Sequence, residues 1–74
     1  MSRTNLERAT DAQAACDAYG SIVGMNLAED RESLLGDLLA DMLHLAVRLN
    51  IDPDRVVRLG QLHFEEELAE GRSE

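Results

Sequence analysis

Apolar residues recur every three or four positions in three successive stretches of this chain, and each stretch is bracketed by residues that start and stop helices. In the first, Leu6, Ala9, Ala12, Cys16 and Tyr19 form one seam, mostly of small side chains. Thr4-Asn5-Leu6-Glu7 before it reads as a capping box, with Thr4 as N-cap and Glu7 three residues on. Gly20 is the natural residue to close it, so the pattern predicts a helix over 5–19. The apolar segment Gly20-Ser21-Ile22-Val23-Gly24-Met25 is then expected to turn and pack. A second capping box, Asn26-Leu27-Ala28-Glu29, opens a predicted helix over 27–49. Gly36 is its one weak point, at about 1 kcal/mol relative to Ala. Asn50-Ile51 makes a tight connection, Asp52 is an N-cap, and Pro53 sits at the first position of a helix expected over 53–70, closed by Gly71.

The central stretch carries the strongest inference. With residues placed at roughly 100° per step, Ser33, Asp37, Asp41, His44 and Arg48 gather on one polar stripe. The rest of the circumference, about 240° of it, is apolar or small, against the ~100° stripe that a surface helix needs. Two neighbouring helices cover about half of such an arc, and the first helix offers mainly alanines. A second copy of the same helix is the simplest cover for the remainder. Leu35, Leu39, Met42, Leu43 and Ala46 are the expected self-association residues. The third helix has one seam of Val57, Gln61, Phe64 and Leu68 and another of Leu59, Leu62 and Ala69, as expected of a helix with two neighbours. The fold class expected is all-α: a single domain over 1–74, a three-helix unit with a long apolar central helix, assembling as a homodimeric helical bundle.

Size sharpens this expectation. A chain of 74 residues buries only about 60% of its unfolded surface, and chains so short usually add a disulfide, a metal or a second subunit. The lone Cys16 forms no internal disulfide and suits a reducing compartment. No apolar run approaches the ~20 residues needed to span a bilayer, and MSRTNLERAT has no signal-peptide core behind its charges. A cytoplasmic protein is expected, with no membrane partner. The formal charge of −8 argues against direct nucleic-acid binding, which needs a basic footprint. It favours a basic protein surface instead, including one that itself binds nucleic acid. All seven cations are Arg, a bias that genome composition explains most simply.

Two clusters hold candidate chemistry. Asp37, Asp41 and His44 share one helical face, an oxygen-rich set of the kind that suits Mg²⁺ or Mn²⁺, and His63 with Glu67 share a face of the third helix. The plainer reading is that the stripe is the solvated side of an otherwise apolar helix. Glu65-Glu66-Glu67 with Glu70 is an acidic run on the C-terminal half of a helix, where the macrodipole disfavours negative charge. Glu66, Glu67 and Glu70 span about 100° of arc and are the expected partner-binding residues. No Ser/His/Asp set, Cys-x-x-Cys pair or phosphate-binding glycine loop is present, so no catalytic residue and no cofactor is assigned.

The run Asp37-Leu38-Leu39-Ala40-Asp41-Met42-Leu43-His44, with Asn50-Ile51-Asp52 and then His63-Phe64-Glu65-Glu66-Glu67, resembles small helical proteins of phages and mobile elements. Those carry a D-L-L-x-D-L-x-H core and an H-[YF]-E-x-E ending, and the likeness covers roughly residues 30–67. Proteins of such origin are often inhibitors of host defence, small acidic anti-CRISPR proteins among them. The resemblance therefore implies an inhibitor of a host protein, to which the charge adds a basic target surface and the apolar arc a second copy. A second likeness is to MazG-like all-α nucleotide pyrophosphohydrolases, which bind Mg²⁺ through an E-x-x-E and an E-x-x-D on successive helices. Glu29-Asp30-Arg31-Glu32 matches the first motif, while Leu34 and Leu38 stand where the second needs a carboxylate before Asp37 or Asp41. This alternative implies an Mg²⁺ site at Glu29, Glu32, Asp37 and Asp41.

Overall fold

Three helices make up the fold of residues 3–71, the part that the computed structural model describes: α1 (Asn5–Val23), α2 (Leu27–Arg48) and α3 (Pro53–Gly71). No strand lies among the described residues, so the chain is all-α as expected.

Helix α1 starts as its sequence demands. The Glu7 N–H donates to Thr4 Oγ1 at 3.1 Å, and the Thr4 N–H donates back to Glu7 Oε1 at 2.8 Å. The bond from the Thr4 N–H foremost, with the Thr4 hydroxyl beside it, holds the Glu7 carboxyl below the usual carboxylate range. Its end departs from expectation. The helix runs through Gly20 to Val23 and stops at Gly24, which takes the left-handed conformation with φ 77°. The Gly24 and Met25 N–H groups both donate to Gly20 O, at 2.8 and 2.9 Å. Gly20 is needed for a different reason. A Cβ there would lie 2.6 Å from Met25 O and 3.2 Å from Leu34 Cδ1. The missing side chain thus lets the returning backbone and Leu34 press onto α1. Ser21, Ile22 and Val23 are helical rather than a packed connector, and Ile22 is 82% exposed.

Asn26 caps α2 by accepting from the Ala28 N–H at 2.7 Å. The reciprocal bond comes from Asp30, not Glu29: the Asn26 N–H donates to Asp30 Oδ2 at 3.1 Å. Asp30 itself has non-helical φ −113° and ψ 25°, so the first turn is kinked against the rest of α2. At the far end Asn50 adopts φ 61°. The Ile51 N–H reaches Ala46 O at 2.8 Å and the Asn50 N–H reaches Val47 O at 3.1 Å. That pair of bonds is a Schellman closure, with Asn in the place that glycine usually fills. Asp52 then caps α3, accepting from the Asp54 N–H at 2.9 Å, with Pro53 in the first turn.

The chain closes on itself when the C-terminal half of α3 returns to the start of α1. There Asn5 Nδ2 donates to Glu67 O at 3.0 Å, and Arg8 Nε lies 3.4 Å from Glu67 Oε2. Burial is sparse. Cys16, Leu34 and Ala46 are the buried apolar side chains among the described residues, while fifteen large apolar residues stay exposed. Leu6, expected on the packed seam of α1, is 77% exposed. No α3 residue is buried, and its packed side is marked by the half-buried Pro53, Val56, Glu67 and Gly71. The expected seam of Val57, Phe64 and Leu68 is exposed instead. In total the chain of 8.2 kDa exposes 6106 Å². A compact monomer of that mass exposes about 4,500 Å². The difference, about 1,600 Å², exceeds the ~800 Å² that each partner buries in a standard interface.

Candidate interaction surface

The polar stripe of α2 borders α1. From the half-buried Tyr19 the hydroxyl donates to Asp41 Oδ2. That bond to a carboxylate favours the neutral phenol and pushes the Tyr19 pKa up to about 12, with the charge of Asp37 adding to it. Asp41 is therefore partnered across two helices, though it is exposed like Asp37 and His44.

Among the described residues no three His, Cys, Asp or Glu side chains converge to hold a metal ion. Glu29, Glu32, Asp37 and Asp41 are not brought together. The non-helical Asp30 falls between Glu29 and Glu32, which border one shallow hollow on the first turns of α2 with Arg31 and Ser33 and without Asp37 or Asp41.

On α2, Leu35, Leu39 and Met42 are each about half exposed and line one ridge. Leu43 is half-buried and Ala46 buried within the chain, so these two expected association residues serve the single copy. On α3, Glu66 and Glu70 are exposed, but Glu67 is drawn toward α1 by Arg8 and is half-buried. Of the expected acidic patch, Glu66 and Glu70 therefore remain at the free surface, with Glu65 exposed on another side of the helix. A shallow apolar hollow of about 300 Å³ lies beside the Arg8–Glu67 pair, walled by Ala9, Phe64 and Leu68. The N-terminal half of α3 is different in character. Arg55, Arg58, Leu59 and Leu62 surround a hollow of about 250 Å³ on its outer face. Sequence periodicity places these four side chains together, but their juxtaposition with Glu65 and Glu66 becomes meaningful only once the packed side of α3 is known.

No protein-family model, curated protein or solved structure matches this chain.

Proposed function

We propose that the chain is a small acidic interaction protein that self-associates as a homodimer and captures a basic protein surface, of the kind that binds nucleic acid. The uncovered apolar area carries this reading. Among the described residues, fifteen exposed large apolar side chains against three buried apolar ones leave more surface than one copy has means to cover. The −8 charge and the free carboxylates of Glu65, Glu66 and Glu70 select a basic partner over an acidic one. The likeness to phage and mobile-element proteins supports an inhibitory role of the anti-CRISPR kind, in which an acidic surface occupies a site built for nucleic acid.

Sedimentation equilibrium at micromolar concentration tests the first half, with a dimer expected. A monomer that unfolds cooperatively would overturn it. The second half is read from an oligo-arginine peptide. Binding is expected at low salt, weakening as ionic strength rises and the Debye length falls to about 8 Å. It should weaken again in a Glu66→Lys, Glu70→Lys variant. Indifference to both changes would remove the acidic patch from the mechanism.

A further inference from the structure

The outer face of α3 is polarised along its length. At roughly 100° per residue, Arg55, Arg58, Leu59, Leu62, Glu65 and Glu66 fall within about 120° of arc. This arc lies opposite the half-buried Pro53, Val56 and Glu67, and all six of its residues are exposed. Its N-terminal end is basic, its middle apolar and its C-terminal end acidic. Such a face is complementary to itself in one orientation only. We infer that it docks the same face of a second copy, with the two α3 helices antiparallel about a two-fold axis beside Leu62. This rests on the proposed self-association and names the surface that performs it.

The register follows from the spacing. With Leu62 against its counterpart, Arg58 comes level with the partner's Glu66 and lies on the same flank as the partner's Glu65, within reach of both carboxylates. Arg55 stands opposite Ala69, one turn beyond Glu65 and Glu66 and within reach of a long guanidinium side chain. The hollow between Arg55, Arg58, Leu59 and Leu62 receives apolar side chains of the second copy. A parallel arrangement would set Arg against Arg and Glu against Glu, which is repulsive. The contact is isologous and closes at two copies. The Leu35–Leu39–Met42 ridge of α2 is as exposed but carries no such charge signature. Glu66 also belongs to the acidic patch, so a second copy and a basic partner compete for it.

Charge exchange tests the arrangement. One variant carries Arg55→Glu and Arg58→Glu, and the other carries Glu65→Arg and Glu66→Arg. Both place acidic residues nearer the N-terminus or basic residues nearer the C-terminus of α3, the senses that the helix dipole favours. Circular dichroism should therefore show unchanged helix content. In sedimentation equilibrium each variant alone is expected to dissociate at least tenfold more readily than wild type, and an equimolar mixture to form a one-to-one heterodimer. Single variants Arg58→Glu and Glu66→Arg, mixed in the same way, serve if a double variant fails to fold. Variants that self-associate like wild type, or a mixture that stays monomeric, would overturn the inference. If Leu39→Glu alone dissociated the dimer, the α2 ridge would be the interface and self-association would stand without α3. A monomeric wild type would remove both.

Discussion

The Tyr19 hydroxyl donates to the Asp41 carboxylate and so ties the C-terminal part of α1 to the middle of α2. Only the protonated phenol makes this bond. The folded chain therefore holds that proton more tightly than the unfolded chain, whose tyrosine titrates near 10. The bond's contribution is complete below about pH 10 and is lost as pH rises toward about 12. Tyr19 is the one tyrosine and there is no tryptophan, so tyrosinate absorbance reports it directly. A native midpoint near 12 is expected, falling toward about 10 in Asp41→Ala. An identical midpoint in both proteins would show that the bond does not form in solution.

Two glycines within helices should respond oppositely to alanine. At Gly20 the added Cβ meets Met25 O at 2.6 Å, a backbone atom that moves only if the α1–α2 connection moves. Gly20→Ala is expected to destabilise by about 1–3 kcal/mol, the range for overpacking. At Gly36 a Cβ meets nothing within 4 Å. Gly36→Ala should stabilise by up to about 1 kcal/mol through helix propensity. Thermal unfolding of the two variants under one condition decides the matter, and the same sign for both would contradict the packing described.

The contrast between these glycines shows what the sequence makes legible. Helix starts were readable because a cap is a local device: Thr4 with Glu7, Asn26 and Asp52 each act within four residues. Helix ends were less so. Gly20 and Gly24 both satisfy the rule for a stop, and the choice fell to a tertiary fact, the approach of Met25 and Leu34 to Gly20. The kink at Asp30 was hidden for a local reason, since the Asn26 N–H donates to Asp30 rather than to Glu29, the residue that the capping-box spacing picks out. Periodicity predicted the faces of α3 but not which face would meet α1. That was decided by Arg8 and Asn5 holding Glu67, which removed one carboxylate from the expected patch of Glu66, Glu67 and Glu70.

The Arg8–Glu67 contact joins the two ends of the fold. Its side chains are 19% and 34% exposed and their charged atoms 3.4 Å apart, so solvent screens the pair in part. Arg8→Ala should destabilise by no more than about 1 kcal/mol, the usual ceiling for pairs that water reaches. It should also free Glu67 to join the acidic surface. Oligo-arginine is then expected to bind the variant more tightly than wild type despite the lower stability. Weaker binding would mean that Glu67 contributes nothing outside the fold.

Competition for Glu66 links the two proposed occupants of α3. A peptide that takes Glu66 and Glu70 removes the carboxylate that Arg58 of a second copy would use. Oligo-arginine should therefore shift the sedimentation equilibrium toward monomer at fixed protein concentration. Linkage is reciprocal, so raising the protein concentration should weaken the apparent peptide affinity by the same factor that peptide weakens self-association. Both effects are expected to fade with salt, since both depend on exposed charge. The Glu65→Arg, Glu66→Arg variant should show neither. A peptide that binds wild type without disturbing its dimer would place the basic partner elsewhere, at Glu70 alone or on the acidic first turn of α2.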